Sequence, residues 1–432
     1  MNTFRKQRSR AFSRIVLATA GLFLVWRIAA LGTSQYYVDE ASREPRYLDF
    51  SLAWNRGNPE ALSLSGQLLV EDDSKRAESL LRKAYLANPS DSHALVALAR
   101  VWSGQGNIEQ ADQTVEIAER LSPADVAANL QAAAYWLLRK NIERALFDWD
   151  RALQAQPRLS KQLFPVLLRI AEQPPQGQSG FSRIVKHLSP WWQDFFIYST
   201  RNARHVNTLR PLYDLYQKTN RPLTTKELNA FITRLQTDGL WSEAYMVWLN
   251  SLKPNQLSVL GQIYDGSFEQ TRFSHGFDWH LPTHKGVEVD ARSLFGGRKG
   301  KALQLTFHGD PVPGIIAEQA LFLVPGRYRL SGMVKTDSIE ATHGLVWTIA
   351  CADGDKIPLA DTERFVGSNQ WRSFSTRFTV PPERCTGQRL YLHIRGSLPR
   401  DFKISGKAWF DDLAITWLQA GSVVDSQSLK ER

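Results

Sequence analysis

The first strong hydrophobic pattern along the chain is one apolar run near the N-terminus. Residues 15–32 contain a single charged side chain, Arg27. As an α-helix this run would be about 27 Å long, enough to cross the apolar core of a bilayer. Arg27 lies near its far end, where a long side chain can reach the interface. The pattern predicts one transmembrane anchor within residues 1–34.

The charges that flank this run predict its orientation. Five basic residues and no acid occupy the first fourteen positions: Arg5, Lys6, Arg8, Arg10 and Arg14. Such an excess keeps the N-terminus in the cytoplasm and places the rest of the chain on the other side. The alternative is a cleavable signal peptide ending at Ala30-Leu31-Gly32, although an arginine before that site is unusual. Both interpretations export the bulk of the chain.

Three successive blocks of 34 residues repeat one helical pattern. Each block carries two alanines seven positions apart and a proline after them: Ala77, Ala84 and Pro89; Ala111, Ala118 and Pro123; Ala145, Ala152 and Pro157. The alanines lie on one face of a helix, where backbones approach closely, and the proline ends that helix. Because one hairpin cannot bury its apolar face alone, blocks 58–91, 92–125 and 126–159 are predicted to stack as an all-α solenoid.

This spacing resembles the tetratricopeptide repeat. The resemblance covers residues 58–159 of a predicted repeat domain that spans residues 35–159. The family binds its ligands on the inner face of the first helices. The resemblance therefore implies a mostly apolar groove lined by Leu62, Leu69, Val96, Arg100, Leu130 and Leu137. Such a groove suits a peptide or a helix of a protein partner. The alternative is that the chain's own following helices fill it.

Residues 160–256 keep a helical period but lose the strict repeat. WWQDFFIYS (191–199) is strongly apolar, and residues 226–252 suggest one degenerate hairpin that turns at Asp238-Gly239. We predict that this stretch extends the solenoid as far as Lys253-Pro254, with its aromatic residues in the core.

From about residue 260 an alternation of period two replaces the helical period. KALQLTFHG (301–309), GLVWTIACADG (344–354) and RLYLHIRG (389–396) alternate apolar and polar side chains between turn residues. Such segments recur throughout residues 262–418. They predict an antiparallel β-sandwich, so the fold class is multidomain: an N-terminal transmembrane helix, an all-α repeat solenoid and a C-terminal all-β jelly roll.

The ends of the β segment carry its most specific motifs. It opens with DGSFE (265–269) and closes with WFDDLAI (409–415). These motifs resemble the carbohydrate-binding-module and galactose-binding-like jelly-roll families, in which a structural calcium often ties the first strand to the last. The resemblance implies Glu269 and Asp411 as the calcium-binding carboxylates. The alternative is that backbone N–H groups satisfy Asp411 without a metal, and no other cofactor is expected.

Sugar binding by such a domain needs exposed aromatic rings beside polar groups. Trp347 alternates with apolar neighbours and Trp371 begins a strand, so both are expected in the core. Trp279 lies between histidines in a loop and is the predicted carbohydrate-contacting ring. A zinc site at His275, His280 and His284 is disfavoured, because their spacing matches no closed site and no cysteine is near.

The chain contains two cysteines, Cys351 and Cys385. In an exported protein this pair favours a disulfide, and the alternative is two buried free thiols. Half of the net charge of +10 lies in the first fourteen residues, so the rest is too mildly basic to indicate nucleic-acid binding. No P-loop, G-x-S-x-G or H-E-x-x-H motif occurs.

Together these features resemble repeat proteins encoded with exopolysaccharide machinery. The sequence predicts a non-enzymatic scaffold or accessory protein of a Gram-negative inner membrane, single-pass and facing the periplasm. It would act in the assembly or export of a cell-surface polysaccharide, with the β-sandwich binding glycan. The alternative is a pure protein–protein interaction scaffold with no sugar binding. Residues 419–432 are predicted to form a disordered tail.

Overall fold

A computed structural model describes residues 2–173, 176–187, 189–218, 222–270, 276–293, 300–352 and 357–418. His275 and the tail 419–432 lie outside these residues. The chain divides into two compact units, Met1–Phe195 and Phe196–Arg432.

The first unit begins with the long helix α1, Asn2–Glu40. Its segment Val16–Glu40 is long and apolar enough to cross a membrane, and few of its side chains are buried. Length and composition fit a signal sequence equally well. A short helix, α2 (Tyr47–Trp54), follows.

Three helical hairpins come next, as the 34-residue period predicts. Their helices are α3 (Pro59–Leu68), α4 (Ser74–Ala87), α5 (Ser92–Gly104), α6 (Ile108–Leu121), α7 (Val126–Leu138) and α8 (Ile142–Ala155). Asp and Asn side chains cap five of these six helices by accepting backbone N–H groups. Every alanine of the two repeating columns is buried between helices, which explains why only a small residue occurs there.

Three further helices complete the first unit: α9 (Ser160–Ala171), α10 (Gln176–Lys186) and α11 (Trp192–Asn202), the last of which runs across the boundary. Phe164, Phe181 and Phe195 pack ring against ring with the tryptophans that open α11. These aromatic residues are core residues, as the sequence predicts.

The helices after the boundary belong to the same compact unit as the β-sandwich. They are α12 (Leu209–Gln217), α13 (Thr225–Thr237), α14 (Trp241–Ser251) and α15 (Pro254–Leu257). The ring centroids of Trp248 and Tyr264 are 5.1 Å apart, and those of Tyr245 and Phe277 are also 5.1 Å apart. The domain boundary predicted at residues 256–262 therefore falls inside one packed unit, because apolar faces of α14 are buried against the β segment.

Nine strands form the described part of the sandwich: β1 (Val287–Ser293), β2 (Lys301–Pro311), β3 (Ile315–Leu321), β4 (Gly326–Ala341), β5 (Leu345–Cys351), β6 (Pro358–Asp361), β7 (Gly367–Val380), β8 (Gln388–Ile394) and β9 (Lys403–Trp417). One sheet has the order β1-β2-β9-β4-β7, and the other has the order β3-β8-β5-β6. All pairings between these strands are antiparallel. The predicted antiparallel sandwich is confirmed.

The core lies between the two sheets and follows the alternation of the sequence. In β5 and β8, Leu345, Trp347, Leu390 and Leu392 belong to one buried cluster with Phe410 of β9. Since neighbouring side chains of a strand point to opposite faces, the intervening residues of β8 lie on the outer face of the four-stranded sheet.

Candidate functional site

Trp279 lies in the core, and the prediction that it contacts a ligand is wrong. Its side chain is 0% exposed, and its ring nitrogen donates a hydrogen bond to the Asp265 carbonyl at 3.1 Å. The next residue, His280, pairs through its backbone with Glu318 of β3 at 2.8 and 2.9 Å. This pairing adds a short extension to the sheet and directs the Trp279 ring inward, where it contacts Phe268 and Trp347.

The opening and closing motifs of the sandwich meet, as their resemblance to the jelly-roll families implies. The backbone N–H of Leu413 donates to the Gly266 carbonyl at 2.9 Å. A Cβ on Gly266 would lie 1.9 Å from the Leu413 carbonyl oxygen. The motif therefore requires glycine at this position, because no side chain fits where the two backbones cross.

Asp411 does not point into the core between the two sheets. Asp411 pairs with Met333 while Phe410 pairs with the core residue Val334, so Asp411 lies on the outer side of the five-stranded sheet. Asp412 has a positive φ of 52°, and the strand register shifts there, which returns Leu413 to the core. Asp411 is nevertheless buried and accepts the Asp412 backbone N–H at 2.8 Å.

Glu269 and Lys301 form two hydrogen bonds with each other. Its Oε1 accepts the Lys301 backbone N–H at 2.8 Å, and the Lys301 ammonium donates to the Glu269 carbonyl at 3.0 Å. Across the residues that the structure describes, no three His, Cys, Asp or Glu side chains form a group that could hold a metal. Calcium at Glu269 and Asp411 stays a prediction, without a donor set in the described part of the chain.

Cys351, at the end of β5, forms a disulfide with Cys385, in the loop before β8. This is the pair that the sequence favours. The bond ties the end of β5 to the loop that leads into β8.

The residues assigned to the helical groove do not share one environment. Leu62 and Val96 are buried, Leu69 and Leu130 are half-buried, and Leu137 is exposed. Arg100 pairs with Glu71 at 2.6 Å. Gln131 of α7 donates to Gln67 of α3 at 3.1 Å, so a polar contact joins two of the first helices. Binding of a partner by this groove stays a prediction.

The outer face of the four-stranded sheet carries a connected set of polar and aromatic side chains, which we call the polar face. It consists of Glu318 (β3), Thr348 (β5), Asp361 (β6), Arg389, Tyr391 and His393 (β8). Arg389 and Glu318 form an ion pair at 3.2 Å. The rings of Tyr391 and His393 lie side by side, with their centroids 5.0 Å apart. Both rings are half-buried.

Hydrogen bonds at the centre of the polar face determine which ring nitrogen of His393 carries a proton. Thr348 Oγ1 donates to Asp361 Oδ1 at 2.6 Å, and His393 Nε2 lies 2.9 Å from the same hydroxyl oxygen. Because the Thr348 proton is already used, Nε2 must be the donor. Burial lowers the pKa of His393, which favours the neutral imidazole. Burial also raises the pKa of the Tyr391 hydroxyl.

A cleft of about 630 Å³ opens at one end of the polar face. Its chemically distinctive lining residues are His343, Arg364, His393, Arg395, Asp401 and Phe402. Arg395 pairs with Asp361. The Asp401 carboxylate accepts the backbone N–H groups of Ser397 and Leu398 at 3.0 and 2.9 Å, and these bonds lower its pKa.

A smaller cavity of about 230 Å³ lies at the other end, between α13 and the sheet. Glu318 and Arg389 line it together with Asn229, Thr233 and Gln236 of α13. The side-chain nitrogen of Gln236 is buried and has no hydrogen-bond partner among the residues described. The polar face therefore runs between two cavities.

The sequence contained a signal for the polar face. In RLYLHIRG the residues between the apolar positions are arginine, tyrosine, histidine and arginine. That alternation predicts a strand, and it also places the rings of Tyr391 and His393 together on the outer face of the sheet.

No protein-family model matches the chain, and no curated protein matches it. Among solved structures, it is similar to the CBM22-1 xylan-binding domain from Paenibacillus barcinonensis Xyn10C, with 20% identity over 36% of this chain and 93% of that chain and a TM-score of 0.26. It is also similar to TmCBM61 in complex with β-1,4-galactotriose, with 15% identity over 37% of this chain and 99% of that chain and a TM-score of 0.25. For a structure described as "CBM4 structure and function", the identity is 14% over 36% of this chain and 99% of that chain, and the TM-score is 0.27. These values carry no functional argument, so function must follow from the chain's own residues.

Proposed function

We propose that the β-sandwich binds a glycan chain along its polar face. The observation that supports this most strongly is the half-buried Tyr391 ring beside His393, in a row of hydrogen-bonding side chains that ends in an open cleft. The C–H faces of a pyranose pack on aromatic rings, while its hydroxyl groups need donors and acceptors close by. The polar face offers both.

The polar face is also organised before any ligand arrives. Thr348, Asp361 and His393 hold one another through hydrogen bonds, and Arg389 is held by Glu318. Ligand binding therefore costs these side chains little conformational entropy. The cleft volume of about 630 Å³ lies within the usual range for small-molecule sites.

The proposed setting is a membrane-anchored exported protein that assists the assembly or export of a cell-surface polysaccharide. Support comes from the apolar segment Val16–Glu40 and from the disulfide, since disulfides persist in oxidising compartments. The proposed role is binding without catalysis. The carboxylates of Glu318 and Asp361 are each paired with an arginine.

The test uses the full-length chain in detergent micelles and affinity electrophoresis through gels that contain neutral or acidic polysaccharides. Tyr391→Ala should weaken retardation by about tenfold or more, because one aromatic contact contributes 1–3 kcal/mol in comparable stacking. Tyr391→Phe should retain binding. Tyr85→Ala, at an exposed tyrosine of α4, is the matched control. Failure of every polysaccharide to retard the wild-type chain would contradict the proposal.

A pure interaction scaffold is the second candidate, and one observation favours it. The helical hairpins expose large apolar side chains, with Leu86 78% and Leu138 75% exposed. Exposed apolar residues of this kind are candidates for protein contacts. In-cell crosslinking from these two positions, together with an absence of glycan binding, would favour this candidate.

A further inference from the structure

The cleft beside the polar face contains an arginine whose charge is not compensated. Arg364 is exposed and lines the cleft, and in the described part of the chain it forms no ion pair or hydrogen bond. The second arginine of the cleft, Arg395, is paired with Asp361. The two arginines thus differ in role, since only Arg364 is available to a ligand.

Asp401, the one carboxylate among the described residues that line the cleft, does not neutralise Arg364. Asp401 accepts two backbone N–H groups, and its other oxygen lies 3.9 Å from His343 Nε2. Backbone donors already compensate its negative charge. The cleft therefore presents the guanidinium of Arg364, the imidazoles of His343 and His393, and the carboxylate of Asp401. The oxygens of Asp401 can still accept hydrogen bonds from sugar hydroxyls.

A guanidinium group offers two parallel N–H donors that match a carboxylate or another planar or tetrahedral oxyanion. A neutral sugar would leave Arg364 without a charged partner and would gain little from it. A sugar with an acidic substituent would gain a charge-assisted hydrogen bond at the wall of a partly enclosed cleft. Such bonds are about twice as strong as those between neutral groups.

We propose that the cleft selects an acidic sugar residue of the bound glycan, with Arg364 holding its anionic group and Asp401 accepting a neighbouring hydroxyl. This inference rests on the proposed glycan binding and names the class of glycan. It assigns Arg364 as a specificity-determining residue, whereas Tyr391 contributes to the binding of neutral and acidic glycans alike.

The experiment measures binding of the full-length chain in a neutral detergent to matched pairs of polymers. The pairs are polygalacturonate and its carboxyl-reduced form, hyaluronan and its carboxyl-reduced form, and dextran sulfate and dextran. We expect at least one acidic polymer to bind about tenfold more tightly than its neutral partner. Arg364→Gln should remove most of that difference and leave binding of the neutral partner unchanged.

Arg377→Gln is the matched control, because Arg377 is an exposed arginine on β7 of the other sheet. It corrects for attraction of polyanions by the overall positive charge. Loss of the acidic preference in both variants to the same extent would overturn the inference. Equal binding of acidic and neutral polymers would also overturn it, while glycan binding with a Tyr391→Ala defect would leave the proposed function standing.

Discussion

A single buried carboxylate, Asp148 of α8, makes the helical unit sensitive to pH. Its side chain is 0% exposed, and no described residue donates a hydrogen bond to either carboxylate oxygen. Burial, followed by the nearby charge of Glu119, raises its pKa to about 8. The folded chain therefore holds Asp148 protonated at neutral pH, whereas the unfolded chain releases that proton near pH 4.

The raised pKa fixes the sign of the pH dependence. The stabilising contribution of protonated Asp148 is complete below about pH 4 and is lost progressively as the pH rises towards 8. Asp148→Asn should flatten this decline and raise stability at pH 8 by a few kcal/mol, since one unit of pKa corresponds to about 1.4 kcal/mol. Thermal or urea melts at several pH values measure it. Asp72→Asn, at an exposed site, is the control, and parallel curves for wild type and Asp148→Asn would contradict the account.

The sequence does not predict the orientation of a single side chain where pairing between distant strands decides it. Trp279 and Tyr391 are both aromatic residues with polar neighbours, yet one is buried and the other lies on the outer face. The difference arises because His280 pairs with Glu318, a contact between positions far apart in the chain. Strict alternation from Leu413 and Ile415 would place Asp411 on the core side, but a local register shift in β9 places it on the outer side.

At the scale of elements, local signals were enough to define helices and strands. The alanine and proline period predicts three hairpins, and Asp and Asn side chains cap five of their six helix starts. The alternation in β8 predicts its buried face, whereas every residue of β5 is buried although its sequence also alternates. The order of strands in the two sheets could not be predicted, because it depends on long-range pairings that leave no local periodic signal.

The contact between α14 and the β8 end of the sheet depends on one glycine. A Cβ on Gly387 would lie 1.9 Å from a ring atom of Trp241, and the Trp241 side chain is buried. Gly387→Ala should destabilise the unit by about 1–3 kcal/mol, because the indole must shift. Denaturant unfolding measures this. Gly104→Ala is the control, since nothing lies within 4 Å of the added Cβ.

A double-mutant cycle tests the assignment to Trp241. If the clash is with the indole, Gly387→Ala should cost much less in a Trp241→Ala background, which corresponds to a coupling energy of about 1 kcal/mol or more. Strict additivity of the two substitutions would show that the glycine has another role.

At the scale of the whole molecule, the unit that contains the sandwich begins well before the change in periodicity. The sequence placed the boundary where helical period gives way to alternation, but packing divides the chain between Phe195 and Phe196. Periodicity reports the type of each element and not the neighbour against which it packs. The aromatic residues of α14 are therefore part of the sandwich unit's core.

Two fragments should differ accordingly. A fragment of residues 196–418 should unfold cooperatively, while one of residues 262–418 should be less stable and more susceptible to proteolysis. The shorter fragment lacks Trp241, Tyr245 and Trp248, which pack against Phe277, so it exposes apolar surface. Thermal melts and limited proteolysis of both fragments measure the difference. Equal melting temperatures for the two fragments would contradict this prediction and would place the start of the stable unit near residue 260.

Hydroxyl-radical footprinting of the full-length chain, with and without a saturating glycan ligand, tests glycan binding on the polar face most directly. We expect protection of Tyr391 and His393 on the polar face and unchanged reactivity of Trp417, which is 50% exposed at the end of β9 in the other sheet. Protection of Trp417 with Tyr391 and His393 as reactive as in the free chain would place the glycan elsewhere and contradict the account.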